Sequence, residues 1–436
     1  MSIRSLLSRQ SSRVAHATYI CYQIRRTLTT QVSLDYTQKT SKQTESCRSP
    51  PVGAKMLVRE FLDDSLYNPY YGFYTKDRQR VEYTMKDQED SRFGRVEHVY
   101  HTSGLRFSNT ELFKPWYAHA IARYMVSEYK LKLYPHKDLI IYEIGGKHGR
   151  WMTHILDYIQ RYEPSVYKRT QYNMIELPNR KSSPTFLQQQ NDHHTTVNVL
   201  NTNIFDWNTL VTDHCFFLGM KVINHFAHDV VRYHLETMKP YQGLVCVEPD
   251  HQYKEIFEPI EDPVILKYLN LRNRLNHRPQ QLVRSNWYHR FQHWLTPSHH
   301  KDLTRPEFIP TRLFEFMEIL SQYFPRHRLI LTDYESLSHT IKGINAPLVQ
   351  TELNGIMIPS PSYLMRPGWY DVMFPTNFEL LRDMYMLTCY GSKPGNEKSV
   401  RSIKYSDFLE RYGEFDDNRQ KKSMALYQPN VKVFLT

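Results

Sequence analysis

Leu139-Ile140-Ile141-Tyr142-Glu143-Ile144-Gly145-Gly146-Lys147-His148-Gly149 opens as an apolar run and breaks into glycine. A run of this length bounded by glycine reads as a strand. Helical spacing follows from about Trp151 to Tyr162, and a second apolar run covers Tyr172 to Leu177, so the three segments make a βαβ unit. A glycine turn between strand and helix lets the backbone approach a ligand closely, and the helix N-terminus favours a carboxylate or phosphate. A nucleotide-like ligand is therefore expected. The turn matches neither G-x-G-x-x-G nor G-x-x-x-x-G-K-S/T, which argues against NAD and against ATP held by a P-loop.

Outward from this unit, further strands are expected at Thr196 to Val199, Cys215 to Ile223, Leu244 to Glu248, Arg328 to Thr332, Ile356 to Ile358 and Val372 to Phe374. Their alternation with helical stretches predicts an α/β fold, an open sheet with helices on both faces. Glu176 ends the second strand, where a carboxylate accepts hydrogen bonds from both hydroxyls of a ribose. Asp206 follows the third strand in Asn203-Ile204-Phe205-Asp206-Trp207 and is a candidate for the adenine amino group. Taken singly, an acid after a strand is more often a turn former.

On the N-terminal side, Met56, Leu57, Phe61, Leu62, Leu66 and Tyr67 recur at helical spacing up to Asn68-Pro69, and the aromatic turn Tyr70-Tyr71-Gly72-Phe73-Tyr74 follows. Lys76 to Glu97 reads as an exposed loop. Pro115 opens a second helix carrying Trp116, Ala120, Ile121, Tyr124 and Met125 on one face. Residues 56–134 are thus expected as a helical segment, behind a polar linker at 35–55.

The chain has 436 residues and a net charge of +11, and the charge is concentrated in two places. Residues 1–34 carry Arg4, Arg9, Arg13, Arg25 and Arg26 with no acid, among serines and regularly spaced apolar residues. That composition predicts a mitochondrial presequence and a matrix location; a disordered basic arm for RNA or lipid is the bland alternative. The second concentration, between residues 264 and 306, includes Arg272, Arg274, Arg278, Arg284 and Arg290. It falls in an expected helical insertion at about 250–308, where Trp287, Phe291 and Trp294 line one face of a helix. Packing on the sheet is the favoured reading, because platforms that stack bases normally sit on strands, and nucleic acid is therefore an unlikely partner.

No apolar run reaches the roughly 18 residues of a membrane span; Cys215 to Met220 is stopped by Lys221. Five cysteines without a Cys-x-x-Cys support neither a disulfide framework nor a zinc-cysteine site. His225 and His228, or His289 and His293, have ligand spacing but no H-E-x-x-H arrangement, so no metal is expected.

Several segments, in order, resemble the MidA-like methyltransferases. They are Glu60-Phe61 through Asn68-Pro69-Tyr70-Tyr71-Gly72-Phe73-Tyr74, Thr110-Glu111-Leu112-Phe113, Tyr142-Glu143-Ile144-Gly145-Gly146, Ile223-Asn224-His225-Phe226-Ala227-His228-Asp229, and Tyr370-Asp371-Val372-Met373-Phe374-Pro375-Thr376. The resemblance runs from about Met56 to Gly413 and is most marked to the fungal branch of the mitochondrial complex I assembly-factor arginine methyltransferases. It implies a class I S-adenosylmethionine-dependent methyltransferase domain at 138–413, followed by a C-terminal tail at 414–436. It further implies S-adenosyl-L-methionine as cofactor and dimethylation of an arginine on a core subunit of mitochondrial complex I during assembly.

Carried over by position, Glu143 matches the leading acid of the cofactor loop, Gly145, Gly146 and Gly149 belong to its turn, and Glu176 is the ribose carboxylate. Asn224 falls in the family's Asn-Glu segment, which faces the methyl acceptor. The chain departs from the pattern at Lys147, in place of the middle glycine, at Arg150-Trp151, where Thr-Leu is usual, and at His225, in place of the glutamate. At a helix start, Lys147 or His148 is suited to pair with the carboxylate at the methionine end of the cofactor. An arginine nucleophile also needs carboxylates to orient it and a group to take its proton; Glu111 and Asp229 are the candidates for the first task and His228 for the second. Two other readings stand beside this one: a cofactor-free assembly scaffold on the same fold, and a mitochondrial RNA methyltransferase using Arg272 to Arg290.

Overall fold

The computed structural model describes residues 48–75, 115–146, 149–177, 196–277, 302–337, 346–353, 356–390, 400–413 and 430–436. The described residues from 52 to 436 form one compact unit. The expected presequence, the 76–97 loop and the Trp287–Trp294 helix lie outside the described residues.

In chain order the unit begins with β1 (Ala54–Leu57) and α1 (Val58–Tyr67), followed by α2 (Trp116–Lys132), β2 (Leu139–Ile144), α3 (Arg150–Tyr162), β3 (Thr170–Glu176), β4 (Val197–Asn201) and β5 (Cys215–Met220). Next come β6 (Asp229–Tyr233), β7 (Pro240–Val247), β8 (Tyr253–Pro259), α4 (Pro263–Arg274), β9 (Glu307–Ile309), α5 (Thr311–Tyr323) and β10 (His327–Tyr334). The remainder is β11 (Leu348–Leu353), β12 (Ile356–Ser360), β13 (Asp371–Met373), α6 (Phe378–Tyr385), β14 (Arg401–Lys404), α7 (Tyr405–Tyr412) and β15 (Val431–Leu435).

Among the described residues, seven strands make the central sheet in the order β14-β15-β10-β5-β2-β3-β4. The run from β10 to β4 is parallel, and β15 lies antiparallel between β10 and β14. Parallel strands covered on both faces read as continuous apolar runs, which is why β2 and β5 are legible as strands without alternation. Tyr117, Ile121, Ile155, Ile159 and Phe408 cover one face through α2, α3 and α7. Tyr268, Phe316, Leu320, Leu381 and Met384 cover the other through α4, α5 and α6. The chain builds β2, β3 and β4 outward on one side, then returns to place β5 on the other side of β2. Ligands bind outside the carboxyl ends of the strands at such a switch point.

Four expectations need correction. The 414–436 tail contributes β15, an internal strand of the central sheet, so the methyltransferase-like domain does not end at Gly413. The linker ends early, because Ala54 to Leu57 pair with β7, and Met56 and Leu57 are strand rather than helix. Leu244, Ile356 and Val372 do lie in strands, but in separate antiparallel sheets: β1-β7-β6-β9 with β8 on β7, and β12-β11-β13. The apolar pattern of a strand identifies its buried face and not its partner. The 250–308 insertion is not wholly helical, since β8 forms a hairpin with β7 before α4 begins.

These smaller sheets pack on α1 through Phe61, Leu62, Val230, Val245, Val349 and Val372. Asp262 caps α4 by accepting the N–H groups of Val264 and Ile265, with Pro263 at the first helical position. Its carboxylate also accepts both guanidinium nitrogens of Arg59, at 2.9 and 2.6 Å, and Arg59 reaches Asp229 at 2.6 Å. One buried cation thereby joins α1, β6 and α4. No described helix is long and apolar enough to cross a membrane.

Candidate functional site

The glycine turn is shaped by what lies beneath it. Gly145 has φ +76°, and a Cβ there would sit 2.9 Å from Val222, in the loop after β5. A Cβ on Gly146 would sit 2.9 Å from the Glu143 carboxylate and 2.8 Å from Met174 Cε. Gly149, at φ +63°, starts α3, and its N–H donates to Gly146 O at 2.6 Å. Side chains at these positions would be strained or would displace the acid, so the residue type follows from the geometry. Lys147 and His148 lie outside the described residues.

Glu143 is 1% exposed and accepts the Tyr172 hydroxyl at 2.8 Å. Burial pushes its carboxyl up to about 8, against the Tyr172 hydrogen bond and aided by the charge of Glu176. Glu176 is buried at the end of β3. Glu143 and Glu176 are thus brought together at the carboxyl ends of neighbouring strands, beside backbone that only glycine leaves open. A carboxylate acceptor in this place suits the vicinal hydroxyls of a nucleoside. Asp206 ends the single helical turn Ile204–Asp206, exposed, and no hydrogen bond among the described residues joins it to the two glutamates.

On the far side of the switch point, the chain leaves β5 through Lys221, at φ 54°, into the helical turn Ile223–His225. Asn224 is buried: its N–H donates to Asp333 Oδ2 at 2.8 Å and its carbonyl accepts Phe374 N–H at 2.7 Å. Its side-chain oxygen has no hydrogen-bond partner among the described residues. An unsatisfied buried amide oxygen is costly unless something binds to it. Burial pushes Asp333 up to about 6, against the hydrogen bonds from Tyr334 and Asn224. Burial pushes Lys221 down to about 8, against the pull of Asp333, with its ammonium 5.0 Å from the Tyr334 ring centre. His225 meets Tyr74 and Asp371, each from a distant segment.

The catalytic expectations fare unevenly. Asn224 lies in the helical turn that follows β5. Glu111 lies outside the described residues. Asp229 is fully buried, paired with Arg59 and accepting the Thr311 hydroxyl at 2.6 Å, so it holds β6 to α1 and α5 instead of facing an acceptor. His228 is also internal: its ring stacks on Phe374 at 3.8 Å and 8°, and its Nδ1 donates to Phe226 O at 2.9 Å. Burial pushes it down to about 3, which makes it a weak proton acceptor near neutrality. Residues not anticipated at the site are Tyr74, Lys221, Asp333 and Asp371. Tyr74 and Asp371 stand inside the segments that carry the family resemblance, which was their only signal.

Arg272, placed on the basic patch, is buried and bound to Glu307 at 2.7 Å and to the Tyr233 hydroxyl. It is a structural cation between α4 and β9 and is not presented to nucleic acid.

Comparison with known proteins gives a family and a fold. The family described as putative S-adenosyl-L-methionine-dependent methyltransferase matches residues 120–393. The mitochondrial protein arginine methyltransferase NDUFAF7 homolog of Schizosaccharomyces pombe is 22% identical over 412 residues, covering 87% of this chain and 83% of that one. A methyltransferase-like protein of Burkholderia thailandensis, solved with S-adenosyl-homocysteine, superposes with a TM-score of 0.57 at 12% identity, covering 88% of each chain. An uncharacterised protein of the same superfamily and organism gives 0.54 at 11% identity, over 88% of this chain and 87% of that one. The structural likeness shows a shared fold.

Proposed function

Because this chain belongs to the putative S-adenosyl-L-methionine-dependent methyltransferase family, we propose that it methylates an arginine side chain of a protein in the mitochondrial matrix, on a core subunit of respiratory complex I during assembly. The observation that carries the reading is the pair of buried carboxylates, Glu143 and Glu176, beside a glycine turn at the switch point. The arginine substrate is supported by the name of the fungal relative, the assembly role by the family resemblance of the sequence segments, and the matrix by the acid-free, arginine-bearing residues 1–34.

The cofactor, when bound, supplies a methyl group activated on a sulfonium. Glu176 is assigned to the ribose hydroxyls, Asp206 to the adenine amino group, and the N-terminus of α3 to the carboxylate of the methionine end. Glu143 lies under Gly146 and supports the turn from below. On the acceptor side, the free oxygen of Asn224 accepts an N–H of the incoming guanidinium, and Glu111 is retained as a candidate for the same task. Displacement at the methyl carbon then depends mainly on holding the two reactants in line.

Incubation of the purified protein with methyl-labelled S-adenosylmethionine and a matrix extract is expected to label arginine in one complex I core subunit. Cofactor binding without label in any protein would overturn the arginine assignment. Absence of both would leave a scaffold on a methyltransferase fold.

A further inference from the structure

Tyr74, His225 and Asp371 come from three segments far apart in sequence and meet beyond the carboxyl end of β5. The Tyr74 hydroxyl donates to Asp371 Oδ1 at 2.6 Å, so its oxygen is left to accept. His225 sets its ring against that oxygen, with Nδ1 at 2.9 Å and Nε2 at 3.2 Å, and Nδ1 lies 3.4 Å from Asp371 Oδ1. In its neutral form the ring carries a proton on one nitrogen and a lone pair on the other. Tyr67 holds the loop by donating its hydroxyl to His225 O at 3.2 Å and stacks on Tyr74 at 5.7 Å. The Asp371 side chain is fully buried, whereas that of His225 is 16% exposed. A partly exposed imidazole held against a tyrosine hydroxyl and a buried acid is suited to act as a general base.

We infer that His225, oriented by Tyr74 and Asp371, takes up the proton that the acceptor nitrogen loses on methylation; this rests on the methyl-transfer reading above. As the nitrogen–carbon bond forms, the sulfur–methyl bond breaks and its electron pair remains on sulfur. One N–H proton of the guanidinium passes to the lone-pair nitrogen of His225 and then to water, leaving a methylated guanidinium. His225 is the catalytic residue of this step, and Tyr74 and Asp371 are positioning residues. Asn224, the preceding residue, orients a second N–H through its buried oxygen.

The groups facing His225 are Tyr67 from α1, Tyr74 from the turn after it, Asp371 from β13 and Asp333 from β10, with Lys221 from the end of β5 acting on Asp333. Asp333 and Lys221 titrate near working pH, so the test must separate them from His225. The test measures the pH dependence of methyl transfer, together with S-adenosylhomocysteine affinity, for the full chain and for His225→Gln, His225→Glu, Tyr74→Phe and Asp371→Asn. His225→Gln is expected to lower kcat about 10²- to 10⁴-fold, to abolish the rising acid limb and to leave cofactor affinity within about twofold. His225→Glu is expected to recover part of the rate with the limb displaced toward acid, because a carboxylate loses its proton at lower pH than an imidazole. Tyr74→Phe and Asp371→Asn are expected to give smaller losses with a displaced limb. A wild-type limb retained in His225→Gln would belong to Asp333 or Lys221 and would overturn the inference, as would an unchanged kcat. Failure of the methyl-transfer reading would appear in the unmodified protein; failure of this inference would appear only in the variants.

Discussion

Deletion of residues 414–436 is expected to yield a chain that does not fold. Those residues include β15, which is hydrogen-bonded to β10 on one side and β14 on the other. Val431, Val433, Phe434 and Leu435 are all buried there. Each such side chain contributes about 1.5–3 kcal/mol on burial, so roughly 6–12 kcal/mol would be lost, comparable with the ~5–15 kcal/mol that stabilises a whole domain. Deletion would also leave the facing edges of β10 and β14 without partners and open the sheet to association with other chains. Circular dichroism and the yield of soluble protein would check this; a soluble, cooperatively melting product would contradict the assignment of β15.

Arg59→Ala is expected to destabilise the protein by about 3–5 kcal/mol, because it removes the cation between two carboxylates and leaves both without their partner. The Arg59 side chain is 8% exposed, Asp229 0% and Asp262 12%, so water cannot replace the lost charge. Burial pushes Asp262 up, but Arg59 and the backbone N–H groups of Ile265 and Val264 outweigh it and hold the carboxyl below its ordinary value. A lowered folded value adds stability that is present above the unfolded carboxylate range and is lost as pH falls through the folded value. The native protein should therefore lose this contribution in acid. In the variant, Asp229 and Asp262 become easier to protonate, and stability should recover as pH falls from 7 to 5. Urea unfolding at both pH values would show it, and a variant within about 1 kcal/mol of the native protein would contradict the network.

The sequence made some parts of this molecule legible and hid others for definite reasons. The strand-glycine-helix turn at 139–149 was readable because a buried parallel strand is a continuous apolar run and a glycine turn interrupts it. Glu176 was readable because it ends the next strand. The β15 strand was missed because Val431-Lys432-Val433-Phe434-Leu435 is short and its partner β10 lies about a hundred residues earlier. Asp229 looked catalytic because an acid in a site segment invites that reading, yet Arg59, 170 residues away, pairs with it. The same limit applies in reverse at Tyr74 and Asp371, which are 297 residues apart and share one hydrogen bond. Local pattern reports which face of a segment is buried, whereas long-range pairing decides whether a carboxylate holds the fold or serves the site.

Calorimetric titration of S-adenosylhomocysteine into the unmodified protein and into Glu176→Ala tests the central claim most directly. A pocket at the ends of β2 and β3 predicts micromolar binding to the unmodified protein. Loss of a charged hydrogen-bond acceptor, at about 1.5–3 kcal/mol, predicts binding roughly 10- to 100-fold weaker in the variant. Equal affinity in the two proteins, or no heat at millimolar ligand in either, would contradict the placement of the cofactor at the ends of β2 and β3 against Glu176.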